Sequence, residues 1–330
     1  MSSLSVSRIA CIGGGLIGAG WAAHFLRAGL HVVVHDPAPE REGFLHDYLD
    51  RVWPTLAAMG LAPGASRNRL TFTTNLEQAL HGTDFVQESA VEDRAAKVRL
   101  LGEIDMRLPV GTVIASSSSG FLAADLRAGA RHGERIIIGH PFNPPFLVPL
   151  VEIAGGDGAP EAAALAAAIY RATGCEVVEL KREIDGYIGN RIQFAVFREL
   201  LYLLREGVAD LETIDRAVSA GPAIRWAVMG PSSVFFLGAR NVTLYREFVD
   251  LLSQELRSGY VAPPDFEPDA ELLDRYAEEV MAWLGPGGQA PLLQRRDVGV
   301  AAVRAAVEAL RPLSSSPDSP LPIHPARPAP

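Results

Sequence analysis

His140 follows the apolar run Ile136–Gly139 directly, inside the segment Gly139-His140-Pro141-Phe142-Asn143-Pro144-Pro145. An imidazole titrates near neutrality, so it can take a proton from a hydroxyl while a hydride leaves the same carbon. A base of this kind needs an orienting partner. Glu152 is the candidate, because it interrupts the apolar stretch 147–155, LVPLVEIAG, where an unpaired carboxylate would be costly to bury. A carboxylate bonded to the far ring nitrogen would hold the tautomer and stabilise the imidazolium. The same residue types also fit a core histidine bonded to a backbone carbonyl, with Glu152 at a strand end in water. The run Ser116-Ser117-Ser118-Ser119-Gly120 reads as a loop or helix cap, or as a source of a hydroxyl for a substrate oxygen. Asn190, in a helical pattern, would ordinarily cap a turn or face solvent.

A second constellation lies near the start. Gly13-Gly14-Gly15-Leu16-Ile17-Gly18 is a GxGxxG that leaves an apolar strand and opens a helix. Gly13 permits the tight turn, Gly15 lets the backbone approach a pyrophosphate, and Gly18 lets helix and strand pack closely. The exposed N–H groups and positive helix end then stabilise the phosphate charge. Asp36 ends the strand pattern HVVVHD, where a carboxylate can accept from the adenine ribose hydroxyls. It would repel a 2′-phosphate, and Pro37-Ala38-Pro39 offers no arginine, Arg41 being the nearest; the expected cofactor is therefore NAD and not NADP.

These groups need a sheet to hold them. Strand patterns fall at Arg8–Gly13, His31–Asp36, Phe85–Glu88, Thr112–Ala115, Ile136–Gly139 and Leu150–Ile153. Helical periods lie between them at Ile17–Ala28, Glu40–Met59, Leu76–Leu80 and Arg94–Asp105, and one more unit pairs a helix at Pro160–Thr173 with a strand at Cys175–Leu180. This alternation predicts an α/β Rossmann domain, doubly wound on a mostly parallel sheet, over residues 1–184. From 185 to 311 the alternation gives way to apolar residues at three and four, as in Ile188, Ile192, Ala195 and Val196. Further helical periods at Leu211–Val218, Leu244–Leu256, Ala270–Trp283 and Leu292–Leu310 predict an all-α domain for substrate binding and dimerisation. Residues 312–330, rich in Pro and Ser, read as a disordered tail.

With 330 residues, 48% hydrophobic and 21% charged, the chain can build a sizeable core in two domains. A net charge of −9 argues against a nucleic-acid partner. No long apolar window or leader pattern is evident, so the expected location is cytoplasmic and off the membrane. Cys11 and Cys175 stand without metal-ligand spacing and read as buried, inert thiols; no metal is expected. Among 30 basic residues only Lys97 and Lys181 are lysines, which singles out Lys97 wherever it falls.

Taken together, Gly13–Gly18, Asp36, FVQESAVEDRAAK, SSSSG, HPFNPP with Glu152, and EIDGYIGNR resemble the 3-hydroxyacyl-CoA dehydrogenase family from Arg8 to about Arg311. Within it, VQES, SSSSG and IRWAVMGP resemble the subgroup of L-carnitine dehydrogenases and lambda-crystallin, an L-gulonate 3-dehydrogenase. The resemblance implies His140 as catalytic base with Glu152 as its partner, and Ser119 and Asn190 at the substrate oxygen and nicotinamide. It places Glu92 and Lys97 in the cofactor site and implies the L configuration of the hydroxyl. Expected is an NAD-dependent L-3-hydroxy acid dehydrogenase or 3-oxo reductase acting on a small carnitine-like or sugar-acid-like substrate, as a homodimer. A CoA thioester or a β-keto biosynthetic intermediate is the alternative substrate, and a non-catalytic NAD-binding protein the remote one. The family's basic CoA-binding helix is absent: residues 41–53, REGFLHDYLDRVW, offset two arginines with three acids. Trp226, Phe235, Phe236 and Tyr245 are candidates for an aromatic cage around a trimethylammonium group, or for ordinary core.

Overall fold

A computed structural model describes residues 6–238, 245–257, 261, 263, 265–284 and 289–310. The tail assigned to 312–330 lies outside the described residues. The chain divides into two compact units, one reaching Ile188 and the other running from Gly189 to Pro312.

The first unit is built on eight strands: β1 (Arg8–Ile12), β2 (His31–His35), β3 (Leu70–Thr73), β4 (Phe85–Glu88), β5 (Val113–Ser116), β6 (Ile136–Pro141), β7 (Leu150–Ala154) and β8 (Glu176–Glu179). They lie in one sheet in the order β3-β2-β1-β4-β5-β6-β7-β8. Helices α1 (Leu16–Arg27), α2 (Arg41–Ala58), α3 (Leu76–Leu80), α4 (Arg94–Arg107), α5 (Ala123–Leu126) and α6 (Pro160–Ala172) connect them. The order reverses at β1, with β2 and β3 to one side and β4 onward to the other, and such a switch point opens a crevice at the carboxyl ends of the strands. β4, β5 and β6 are buried along their whole length, as strands covered on both faces should be.

All pairings are parallel except β6 with β7. The eight residues between Pro141 and Leu150 are too few for a helical crossover, so the chain must return antiparallel. The expected strands are present, and one was missed: β3, whose four residues LTFT are only partly buried at the edge of the sheet and form no continuous apolar run.

One face of the sheet packs Val86, Ile114, Ile136 and Ile138 against Leu101 and Ile104 of α4. Elsewhere in the unit Trp21 of α1 stacks on Tyr170 of α6 (5.4 Å), and Phe85 meets Tyr170 edge-on (5.5 Å). Cys11 is fully buried, and burial pushes its thiol well above the ordinary range. The expectation for Cys175 requires correction: it is only half-buried, and its Sγ lies 3.3 Å from His24 Nε2. It sits one residue before β8, an edge strand whose burial is incomplete.

A buried ion pair ties α4 to the loop before β6. Arg135 Nε donates to Asp105 Oδ1 at 2.7 Å, while Asp105 Oδ2 accepts from the Arg131 and His132 N–H groups at 2.8 and 3.1 Å. Burial would raise the Asp105 pKa, but these donors and the guanidinium charge outweigh it and hold the carboxyl below its usual value. A depressed folded-state pKa adds stability above the unfolded value of about 4 and loses it as pH falls through the lower native value. The melting temperature is expected to fall below about pH 4 in the wild type, and Asp105→Asn to flatten that part of the profile while lowering the neutral-pH plateau. A variant profile that keeps the wild-type acid slope would exclude this pair as its source.

The second unit is helical: α7 (Gly189–Arg205), α8 (Leu211–Ala220), α9 (Pro222–Val228), α10 (Pro231–Gly238), α11 (Tyr245–Arg257), α12 (Ala270–Leu284) and α13 (Gln289–Leu310). Leu201 and Leu204 of α7 pack with Ile214, Phe266 and Leu272, and Arg205 covers the Phe266 ring at 4.3 Å. Asp210 caps α8 by accepting from Thr213 N–H at 2.7 Å. Two helices had no counterpart in the sequence reading. α9 and α10 span seven and eight residues, begin at Pro222 and Pro231 and are flanked by Gly221 and Gly230, so they present as punctuation and not as a period. No helix of the described residues is long and apolar enough to cross a membrane.

Candidate active site

The antiparallel return of β7 places Glu152 directly opposite His140 in the register of β6. Residues paired in this way put their side chains on one face within reach of each other. His140 Nδ1 and Glu152 Oε2 lie 3.0 Å apart, and both residues are buried, at 5% and 1% exposure. The bland alternative of a carboxylate in water is thereby excluded for Glu152. Its other oxygen, Oε1, accepts from Ile188 N–H at 2.9 Å. With Nδ1–H donated to the carboxylate, Nε2 carries the lone pair and can accept a proton.

The four serines divide their work. Ser116 Oγ donates to Glu88 Oε2 at 2.5 Å, and Ser117 Oγ accepts from Trp21 Nε1 and Gln87 Nε2 at 3.1 and 2.8 Å. Ser118 Oγ donates to Glu92 Oε1 at 2.5 Å. Ser119 is exposed, and only its backbone N–H is engaged, also with Glu92 Oε1 at 3.0 Å. Its hydroxyl makes no hydrogen bond among the described residues. Asn190 stands second in α7, half-buried, and belongs to the other unit.

The glycine-rich turn forms at the carboxyl end of β1. Gly13 has φ of +105°, a left-handed conformation suited to glycine, and a Cβ at Gly18 would lie 1.8 Å from the Gly13 carbonyl oxygen. Gly15 faces open space within 4 Å and caps α1 without a side-chain bond, so the first-turn N–H groups of that helix, which begins with Leu16 and Ile17, are free for an anion. Asp36 Oδ2 accepts from Gly14 N–H at 2.8 Å and Oδ1 from Ala38 N–H at 3.0 Å. A carboxylate has further lone pairs, so the anchored group can still take ribose hydroxyls. A cavity of about 500 Å³ runs past Gly13, Gly15, Asp36, Arg41, Ala90 and Lys97. Turn, helix end, acid and cavity together fit a dinucleotide.

Lys97 is 1% exposed, with its Nζ 2.7 Å from Glu88 Oε1 and 3.3 Å from Glu92 Oε2. Glu92 does not line the cavity but links Lys97 to the serine loop, because its Oε1 holds Ser118, Ser119 and Gly120. Burial would raise the Glu92 pKa; the Ser118 hydroxyl, the Lys97 charge and the two amides outweigh it and hold the carboxyl low. Glu88, fully buried, is absent from the sequence-based site, although a carboxylate closing the apolar strand FVQE, nine residues before a rare lysine, was a signal. Gln87 and Tyr187 were also missed. Nothing in their local pattern marks them.

Of the aromatics considered for a cage, Trp226 is half-buried on α9 and Phe235 is 46% exposed on α10. The side chains of Phe236 and Tyr245 lie outside the described residues.

Residues 8–184 match the model of the 3-hydroxyacyl-CoA dehydrogenase NAD-binding domain, and residues 186–264 that of the 3-hydroxyacyl-CoA dehydrogenase C-terminal domain. The chain belongs to the 3-hydroxyacyl-CoA dehydrogenase family. It is 41% identical to an L-carnitine dehydrogenase of Streptomyces coelicolor over 94% of this chain and 98% of the relative. It is 42% identical to an L-carnitine dehydrogenase of Nocardiopsis dassonvillei over 92% of each. Among solved structures, 5-formyl-3-hydroxy-2-methylpyridine 4-carboxylic acid 5-dehydrogenase, an NAD+-dependent dismutase, superposes with a TM-score of 0.81 at 29% identity, covering 92% of this chain and 99% of that one. The protein is accordingly an NAD-dependent oxidoreductase of CH–OH groups, on the Rossmann and all-α architecture that its sequence predicts.

Proposed function

We propose that the protein oxidises the secondary hydroxyl of L-carnitine or a closely similar free L-3-hydroxy acid, with His140 as the base. The observation that carries the mechanism is the buried His140–Glu152 pair, with His140 near the carboxyl end of β6, just as the dinucleotide cavity lies at the carboxyl ends of β1, β2 and β4. His140 Nε2 takes the hydroxyl proton, and Glu152 stabilises the imidazolium through Nδ1–H. The exposed Ser119 hydroxyl holds the substrate oxygen, and Asn190 keeps the active-site role that the family resemblance implies for it. Glycines 13, 15 and 18 with Leu16 and Ile17 bind the pyrophosphate, Asp36 the ribose, and Lys97, held in place by Glu92, the remainder of the cofactor. NAD, when bound, supplies the acceptor for the hydride.

The relatives named L-carnitine dehydrogenase, spanning nearly the whole chain, support the substrate. Helix α2 supports a free acid over a CoA thioester. Its two arginines before Trp53 are outnumbered by Glu42, Asp47 and Asp50, and they lie over the Phe44 and Tyr48 rings at 5.8 and 4.9 Å. The helical unit leaves Ile192, Phe194, Ile224 and Leu237 exposed, which supports a homodimer formed through it. A cytoplasmic location accords with NAD-linked metabolism.

The test follows NADH absorbance with L-carnitine, L-gulonate, DL-3-hydroxybutyrate and its CoA thioester, each with NAD and with NADP, on protein whose mass in solution has been measured. Turnover of L-carnitine with NAD alone, by a particle of twice 35.3 kDa, is expected. Turnover of the thioester only would overturn the free-acid substrate, a monomer would overturn the dimer, and silence throughout would overturn the carnitine-like substrate.

A further inference from the structure

Tyr187 lies against the His140 ring, precedes the amide that holds Glu152, and is bonded to the loop on both sides of Ser119. It is 1% exposed, and its ring lies 5.0 Å from the His140 ring, tilted by 48°. Its hydroxyl donates toward two carbonyl oxygens, Phe121 O at 2.7 Å and Ser118 O at 3.1 Å, on either side of Ser119 and Gly120. Its backbone has φ of +50°, after Gly186 at +74°, a region that tyrosine rarely adopts and that a surrounding structure must impose. Tyr187 N–H closes this turn onto Ile184 O at 3.1 Å, and the next amide, Ile188 N–H, is the donor to Glu152 Oε1. Burial pushes the phenol well above its ordinary range, so it is a permanent donor at working pH.

We propose that Tyr187 is a positioning residue for the dehydrogenase reaction: its hydroxyl pins the loop that presents the Ser119 hydroxyl, while its ring and its left-handed turn hold the His140–Glu152 pair. A pinned loop, a ring packed on the base and a turn that presents the Ile188 amide to Glu152 make the distance between base and loop a property of the scaffold. Side chains held in this way lose little entropy when substrate arrives, and a shift of about an ångström in such groups can cost up to about 100-fold in rate. The inference rests on the reading of His140 and Ser119 given above.

The test uses the full-length protein with L-carnitine and NAD, and Tyr187→Phe, which keeps the ring and removes the hydroxyl. Counting kcat per NADH-binding site, titrated by fluorescence, removes any unfolded fraction from the comparison. Expected is a fall in kcat of about 10- to 100-fold with NADH affinity unchanged. Tyr187→Leu, which also removes the ring from His140, should fall further. A double-mutant cycle then separates positioning from general support: Ser119→Ala should lower kcat about ten-fold or more in the wild type but by at most about two-fold in the Tyr187→Phe background. Additive losses, or wild-type kcat per site in Tyr187→Phe, would overturn the proposal. Failure of the underlying reading looks different, because full turnover in His140→Gln would discard the base whatever Tyr187 does.

Discussion

Replacement of His140 by glutamine is expected to reduce turnover by at least about two orders of magnitude, the contribution of a positioned general base. NADH affinity should be unchanged, because the groups assigned to the dinucleotide lie on β1, β2, β4 and the helices that follow them, not on β6. Glutamine suits the test because its amide can still donate to Glu152. The carboxylate is 1% exposed, and leaving it without its partner would confound lost catalysis with lost stability. Steady-state kinetics beside an NADH titration gives both numbers. Near-normal turnover would mean that the proton leaves by another route. Equal loss of turnover and NADH affinity would mean that the substitution has deformed the domain.

The second large effect concerns Lys97. Its ammonium is the buried counter-charge of Glu88, which is fully buried and otherwise keeps, among the described residues, the neutral donors Ser116 Oγ at 2.5 Å and Ala90 N–H at 2.6 Å. Lys97→Ala removes one partner of a buried ion pair and is expected to cost about 3–5 kcal/mol. For a unit of this size that lowers the melting temperature by roughly 6–20 °C, at about 2–4 °C per kcal/mol. A combined Lys97→Met and Glu88→Gln substitution should recover most of the stability, since neutral groups of similar volume carry no desolvation penalty. It should not recover NADH affinity, because Lys97 also lines the cavity and holds Glu92. Calorimetry and titration on the two variants separate the roles, and a Lys97→Ala protein that melts within about 2 °C of the wild type would refute the ion pair as a stabilising element.

Much of the first unit was legible because its signals are local. An apolar strand, three glycines at fixed spacing and an acid at the end of the next strand each constrain the backbone within a few residues, and each is found where its pattern placed it. β3 escaped because its four residues are only partly buried, and α9 and α10 because short helices opened by proline and flanked by glycine show punctuation instead of a period. Cys175 was misread because an apolar neighbourhood in sequence does not guarantee burial at a sheet edge.

The amino-acid sequence by itself determined the alternation of strand and helix, the dinucleotide turn, the change to helices beyond the last strand, and the presence of an imidazole and a carboxylate on two successive strand patterns. Only the tertiary structure decided that β7 runs antiparallel to β6, which sets Glu152 against His140 twelve positions away. It alone showed that three of four identical serines are consumed internally, that Glu88 needs Lys97, and that Tyr187 reaches carbonyls 66 and 69 residues before it. The physical reason is common to all of these. Backbone conformation is governed largely by neighbours along the chain, whereas the hydrogen bonds that satisfy buried polar groups are made with whatever the fold brings into contact, and hydrophobic periodicity carries no record of those partners.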